Sequence, residues 1–235
     1  MYRYETHLHT FPVSQCARVD AVESLKIYKE MGYDGVFITN HFLDGNINRE
    51  VREKPYREQI EFYFSDYEKA KAAEKEIGIK VFLGIELTYK GTDFLVYGLD
   101  KEWFLAHPEI MDMKKSEELA FLMDSGALVI QAHPYREANY IDHIRLFPRC
   151  VHGIEVINAS QPVERNEMAK IYAKHYGLLA FAGSDNHSGG AKSAFAGMES
   201  ETPVENELDF IEKVKAGKMQ TFEITSEEKE LLLKK

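Results

Sequence analysis

The sequence predicts an α/β fold built as a closed barrel, and three observations carry that expectation. Stretches with helical periodicity stop at a glycine and alternate with short apolar strands, the pattern of strands joined by crossover helices. The strands are near-continuous apolar runs, as expected where a sheet is covered by helices. Nearly every strand also delivers a histidine, carboxylate or asparagine at one end, and in barrels the carboxyl ends of the strands carry the chemistry. A flat doubly wound sheet is the competing architecture, but no glycine-rich phosphate fingerprint supports it. A length of 235 residues suits one α/β domain, so residues 1–235 are read as a single domain.

The first strand contains Tyr4-Glu5-Thr6-His7-Leu8-His9-Thr10, in which strand alternation sends both imidazoles to one side. A His-x-His alone is a weak metal signal, since a half-buried strand with histidines facing solvent has the same pattern. A helix follows from about Asp20 to Met31, with Asp20 as N-cap, Glu23 completing a capping-box-like pattern and Gly32 as stop. The strand Gly35 to Asn40 then delivers His41. Residues 42–64 are polar, charged and aromatic and read as a long loop with short helical pieces, a length that points to function. Ser65-Asp66-Tyr67-Glu68 reads as the capping box opening the next helix, which ends before Gly78.

The strand Lys80 to Ile85 delivers Glu86, and another strand begins at Asp93. A helix from about Lys114 to Asp124 leads to the strand Ala127 to Ala132, which delivers His133-Pro134. Gly153 to Ile157 delivers Asn158. After a helix from about Val163 to Tyr176, the strand Leu178 to Ala182 delivers Gly183-Ser184-Asp185-Asn186-His187. The tail reads as a helix (Glu205 to Lys215), a strand (Gln220 to Ile224) and a charged helical end, Ser226 to Lys235.

Composition narrows the function classes. The 29 basic against 39 acidic residues give a formal charge of −10, which argues against a long nucleic acid as partner. An anionic small substrate stays open, because bound cations reverse the local field. Cys16 and Cys150 lie far apart and read as reduced thiols, and Met1-Tyr2-Arg3-Tyr4 leaves no room for a signal peptide; a cytoplasmic protein with no membrane partner is expected. The sequence leaves the oligomeric state open.

His7, His9, His41, Glu86, His133, Asn158, Asp185 and His187 thus fall on one predicted rim. Each has an ordinary explanation singly: a strand end meeting solvent, a turn cap, a lysine-paired glutamate, a residue before proline. Together they make the imidazole and carboxylate mix that binds zinc, manganese or iron, and one shared carboxylate can bridge two cations. His107, His143, His152 and His175 fall in helices or loops and stay outside the ring.

At these residues the chain resembles a known family. His7-x-His9, Asn40-His41, Gly84-Ile85-Glu86, His133-Pro134 and Gly183-Ser184-Asp185-Asn186-His187 are together similar to the polymerase-and-histidinol-phosphatase (PHP) superfamily of metal-dependent phosphoesterases. The resemblance implies a distorted (β/α)7 barrel with its metal site at the C-terminal ends of the strands, and two or three divalent transition metals (Zn, Mn or Fe). It implies that His7, His9, Glu86 and Asp185 hold one metal. Glu86 would bridge to a second metal, held also by His133 and Asp93, and His41 and His187 would hold a third. Two positions depart from the family pattern: Gln15, a poor ligand, lies where another histidine or aspartate often follows, and Asn40 replaces a common aspartate.

The chemistry so implied is hydrolysis of a small phosphomonoester. Two cations ~3.5–4 Å apart lower the pKa of a bridging water, and the bound hydroxide attacks phosphorus in line. His41, Asp185 and His187 are the catalytic candidates, with His41 or His187 protonating the leaving alkoxide. Arg136, and after it Arg18, are the candidates for binding the phosphate, against the plainer reading of surface ion pairs worth little. Three alternatives stay open: a phosphodiesterase or exonuclease on short nucleic-acid ends, a phosphotyrosine-protein phosphatase, and a non-catalytic metal-stabilised binding module.

Overall fold

The computed structural model describes residues 1–189 and 193–234; Lys235, the end of the charged segment read as helical, lies outside them. In chain order the elements are β1 (Tyr2–Leu8), α1 (Ala21–Glu30), β2 (Gly35–Ile38), α2 (Tyr56–Ile77), β3 (Lys80–Tyr89), β4 (Thr92–Tyr97), α3 (Lys101–Ala106), α4 (Lys115–Asp124), β5 (Leu128–Ala132), β6 (Gly153–Asn158), α5 (Val163–Tyr176), β7 (Leu179–Gly183), β8 (Phe195–Ser200), α6 (Glu207–Lys215), β9 (Met219–Ile224) and α7 (Ser226–Leu232).

The strands form one α/β sheet in the order β7-β6-β5-β4-β3-β2-β1-β8-β9. It curls until the carboxyl end of β1 meets the segment after β7, where Leu8 bridges Asn186 and the Asp185 N–H donates to the His7 carbonyl at 2.8 Å. At its amino end β1 pairs instead with β8, Tyr2 opposite Ser200. The result is a nearly closed barrel of nine strands, where the resemblance implies seven.

The parallel order expected from sequence fails at two places. The strand through Glu86 runs on to Tyr89 and turns back through Lys90-Gly91, both at positive φ, so β4 pairs antiparallel with β3 and with β5. A two-residue turn of this kind joins antiparallel strands only; a parallel partner needs a crossover. Strand β8, not recognised in the sequence, also runs antiparallel to β1 and β9. Its glycine-interrupted Phe195-Ala196-Gly197-Met198 hides the alternation that marks a strand.

Of residues 42–64, expected as a long loop with short helical pieces, 42–55 are irregular around one short helical turn at Arg49–Val51, and 56–64 belong to a long helix. Helix α2 opens directly after Pro55, whose fixed φ and missing N–H suit the start of a helix. Ile60, Tyr63, Phe64, Asp66 and Ala70 make its buried side, so the Ser65 box lies in the helix interior. Tyr63 Oη donates to the Asn40 carbonyl at 2.7 Å, fastening α2 directly behind the strand end that carries His41.

Two apolar layers hold the sheet. Inside, Phe37, Phe82, Tyr97 and Phe181 fill the barrel, and Phe210 of α6 closes its floor, its ring 4.4 Å from that of Phe37 and 5.5 Å from that of Tyr97. Outside, Leu25 and Tyr28 of α1 pack on Val36, Ile38 and Val81. With both faces covered, polar strand-end residues converge at the open rim. Among the described residues no helix is long and apolar enough to cross a membrane.

Candidate metal centre

The rim collects side chains from β1, β2, β3, β5 and β7. His7, His9, His41, Glu86, His133 and Asp185 are all buried, and four imidazole nitrogens surround one carboxylate. Glu86 Oε1 lies 3.1 Å from His7 Nε2 and 3.4 Å from His133 Nε2; Glu86 Oε2 lies 2.6 Å from His41 Nδ1 and 3.4 Å from His9 Nε2. His7 Nε2 and His9 Nε2 are 3.1 Å apart, and Asp185 Oδ1 is 3.5 Å and 3.3 Å from them. Ligand atoms on a tetrahedral cation with bonds of ~2.0–2.1 Å stand about 3.3 Å apart. His7, His9 and Asp185 hold that spacing, and Glu86 reaches it to His7 through one oxygen and to His9 through the other.

Proton accounting sharpens the point. His7 Nδ1 faces Glu155 Oε1 at 2.9 Å and must donate to that carboxylate, so in the neutral ring Nε2 carries a bare lone pair. His9 Nδ1 faces Ser14 Oγ at 3.1 Å; that hydroxyl already gives its hydrogen to Asn40 Oδ1, so His9 Nδ1 is the donor and its Nε2 is bare as well. A proton shared between the two Nε2 atoms would satisfy that pair alone. Both Glu86 oxygens and His41 Nδ1 would still be buried without a hydrogen-bond partner, a costly state. Cations satisfy the nitrogens and the carboxylate at once, and these residues fit them.

Three overlapping groups of donors result, each with ligand atoms within 4.8 Å of one another: His7, His9 and Asp185; His7, Glu86 and His133; and His9, His41 and His187. Asp93 reaches the same rim because β4 runs antiparallel, which brings its first residues beside the strand ends. It stands 3.8 Å from His133 Nε2, and its oxygens are engaged by Thr88 Oγ1 at 2.7 Å and Arg136 Nη1 at 3.3 Å. Arg136 therefore lies beside the cluster. Arg18 joins through its backbone alone: its N–H donates to the His187 carbonyl at 2.8 Å and its side chain is exposed.

Two residues that fix the site, Glu155 and Glu5, were not among the sequence candidates, and they act together with Asn158 and Gly183, which were. Glu155, inside an apolar strand, orients His7 through one oxygen and accepts from the His133 N–H and Asn158 Nδ2 through the other, both at 2.9 Å. Asn158, which ends that strand, also bonds Asp185 Oδ2 at 3.2 Å. Glu5 Oε1 accepts from the N–H groups of Thr6, His7 and Ser184, tying β1 to the end of β7. Gly183 is required where it stands, because a Cβ would come 2.5 Å from His7 Cβ. His133 and Asp185 sit at φ 25° and 53°, strain of the kind that clusters at functional sites. An ionisable residue inside an otherwise apolar strand is the signal that would have found Glu155; the polar β1 gives no such signal for Glu5.

Electrostatics follow from this packing. Burial disfavours charge on Glu86 and Asp185, yet the histidines around them outweigh it and hold both carboxyls well below the usual range. Burial, with His187 and His41 beside it, pushes His9 well down and keeps it neutral. Burial opposes charge on His7 too, but Glu155, Asp185 and Glu86 favour a proton there, so protons and cations compete for the same nitrogen. Cys16, close to His187 and His41, is pushed down to about 6 against the effect of burial. Two clefts open on the rim: one of about 560 Å³ takes in Cys16, His41, Asp93, Arg136, Tyr140 and His187, the other of about 480 Å³ takes in Arg136, Ser160, Asp185 and His187.

Known proteins with related features can now be placed beside this geometry. The PHP-associated family model matches residues 163–219, from the start of α5 to the first residue of β9. A two-domain protein from Bacteroides vulgatus containing a predicted PHP-like metal-dependent phosphoesterase aligns with 94% of this chain at 14% identity and a TM-score of 0.66. The chain spans 64% of that protein's length. PsfC from Pseudomonas syringae aligns with the whole chain, over 96% of its own length, at 19% identity and a TM-score of 0.60. An amidohydrolase from Chromobacterium violaceum, with bound sulfate and no metal, aligns with 96% of the chain over 99% of its own length, at 14% identity and a TM-score of 0.57. No curated protein matches by sequence. The solved structures share this chain's fold, and the family model matches a part of the chain that follows β6. The PHP-associated segment supplies β7, Asp185 and His187, whereas His7, His9, Glu86 and His133 lie outside it.

Proposed function

We propose that the protein is a metal-dependent hydrolase acting on a small phosphomonoester. The observation that carries this reading is the donor set His7, His9 and Asp185, with ligand atoms 3.1–3.5 Å apart, beside Glu86, whose buried oxygens have no hydrogen-bond partner. Its neighbours in structure include a predicted metal-dependent phosphoesterase and an amidohydrolase holding sulfate, a tetrahedral oxyanion of phosphate's shape.

His7, His9, Asp185 and one oxygen of Glu86 would hold one divalent transition metal, and the other oxygen of Glu86 with His133 a second. Such a pair supplies an acidified water and offsets charge on the phosphoryl oxygens. The remaining work falls to side chains. Arg136, kept in place by Asp93 and by Tyr140 Oη at 2.8 Å, borders both clefts and binds a phosphoryl oxygen from outside the cluster. His187 has the most exposed side chain of the ring at 31%, and donates Nδ1–H to the Asp185 carbonyl at 3.0 Å. Burial opposes a proton on the ring, but Cys16 and Asp185 favour one, which suits delivery to a leaving alkoxide.

The test combines elemental analysis with a panel of phosphomonoesters, phosphodiesters, phosphotyrosyl peptides and amides. Two or three equivalents of zinc, manganese or iron with monoester turnover are expected, and His9→Ala or Asp185→Asn abolishes turnover and lowers metal content while circular dichroism is unchanged. Release of mononucleotides from oligonucleotide ends would replace this reading by an exonuclease. Metal without turnover would replace it by a binding module.

A further inference from the structure

We propose that Thr88 is a positioning residue for phosphate binding: its hydroxyl holds Asp93 as the anchor of Arg136, so that Asp93 serves the phosphate and not the second cation. The proposal rests on the phosphomonoesterase reading above and deepens it. Thr88 and Asp93 stand directly opposite each other in the ladder between β3 and β4, a pairing that puts both side chains on one face. The single hydroxyl hydrogen of Thr88 goes to Asp93 Oδ1 at 2.7 Å, a bond strengthened by the carboxylate's charge. Asp93 Oδ2 accepts from Arg136 Nη1 at 3.3 Å, and Arg136 Nη2 donates to Tyr140 Oη at 2.8 Å. Those two bonds fix the guanidinium, whose fork still has donors for a phosphoryl oxygen.

Asp93 accordingly stands apart from the metal donors. His133 Nε2 is 3.4 Å from Glu86 Oε1 but 3.8 Å from Asp93 Oδ2, where ligand atoms on one cation stand about 3.3 Å apart. Among the described residues, the donor group that contains His133 is completed by His7 and Glu86, and Asp93 joins none. Thr88 is itself held in place. Its N–H donates to Asp44 Oδ1 at 3.0 Å, and Lys115 Nζ donates to Asp44 Oδ2 at 2.9 Å. Gly45 leaves room for the hydroxyl, because a Cβ there would come 2.8 Å from Thr88 Oγ1. Lys115, Asp44, Thr88, Asp93 and Arg136 therefore form one hydrogen-bonded line from α4 to the cleft.

Inorganic phosphate titrated calorimetrically into the metal-loaded full chain reads the anchor, and elemental analysis reads the cations. Thr88→Val keeps the branched shape and removes the hydroxyl. It is expected to weaken phosphate binding ~10-fold and to raise KM for a phosphomonoester by a similar factor, with kcat changed far less and metal content unaltered. Thr88→Ser, which restores the hydroxyl, is expected to recover both. Phosphate bound as tightly by Thr88→Val as by the unaltered chain, or as weakly by Thr88→Ser as by Thr88→Val, overturns the proposal and leaves the metal centre standing. Asp93→Asn is expected to keep every equivalent of metal while its phosphate affinity falls; loss of an equivalent would make Asp93 a ligand and overturn the proposal. Should Thr88→Val fail to fold, Asp93→Asn decides alone. An unaltered chain that binds metal but no phosphate also overturns the proposal, and one that binds no metal overturns the hydrolase reading with it.

Discussion

Two clusters of charge are buried side by side in this protein, and they differ in whether their protons add up. On α4, Lys115 Nζ lies 2.9 Å from Asp44 Oδ2 and 2.6 Å from Glu118 Oε2, and Asp44 Oδ1 accepts from the Thr88 N–H at 3.0 Å. One ammonium meets both carboxylates, and none of the three side chains is left with a buried atom lacking a partner. At the rim, four imidazoles crowd Glu86, yet neither of its oxygens receives a hydrogen bond. Burial of charge marks both places. What separates a structural ion cluster from a ligand site is the unmade bond, since burying an unpaired carboxylate is costly unless something else pairs with it. Asp44 borders the clefts of both clusters, so the two lie wall to wall.

That contrast can be broken from either side. Lys115→Met leaves the buried Glu118 facing the more exposed Asp44; it is expected to cost about 1–3 kcal/mol in urea unfolding while metal content stays at the unaltered level. Loss of metal with stability unchanged would abolish the distinction. Glu155→Gln strikes the other cluster through a residue that orients His7 and His133 without touching substrate. Removal of such a partner is expected to weaken metal affinity ~10–100-fold, read by competition with a chelator, with the unfolding midpoint of the metal-free chain little moved. An unchanged affinity would mean that the cluster does not need His7 held in one tautomer.

The smallest effect is a pH slope. Burial pushes Glu118 up to about 7 from an ordinary value of 4.5, even with the Lys115 ammonium beside it. Between those values the folded chain keeps the proton that the unfolded chain releases, so stability falls as pH rises through that window. Glu118→Gln is expected to flatten the slope between pH 4.5 and 7, followed by urea unfolding at fixed metal content. A slope that is unchanged would assign it to the rim histidines instead.

Much of the rim was legible because strand ends announce themselves: an apolar run closing on His41, His133 or Asp185 breaks its own pattern. Asn40 looked like a departure from the family's aspartate, and the structure gives it a reason. Its Oδ1 accepts from the Thr10 N–H at 2.6 Å and from Ser14 Oγ at 2.8 Å, while its Nδ2 donates to Thr10 Oγ1 at 2.8 Å, which in turn donates to Asp66. Only an amide can accept and donate there, and this chain fixes the His9 tautomer. Asp66 had been read as part of a helix-opening box, because nothing in a local window says that its partners lie more than fifty residues away. The helical stretch 56–64 is hidden in the sequence for a related reason: charged exposed positions mask the buried stripe that makes α2 a helix.

The sequence alone determined the alternation of helix and apolar strand and the kinds of donor at the strand ends, because both are local properties of side chains. Tertiary structure decided the rest. It turned β4 back through Lys90-Gly91 to bring Asp93 to the rim, inserted β8 beside β1, and set Glu155 and Ser14 against the far nitrogens of His7 and His9. Those outcomes depend on contacts between residues distant in the chain, whose free energies arise only once the sheet has curled and water has left the space between its ends.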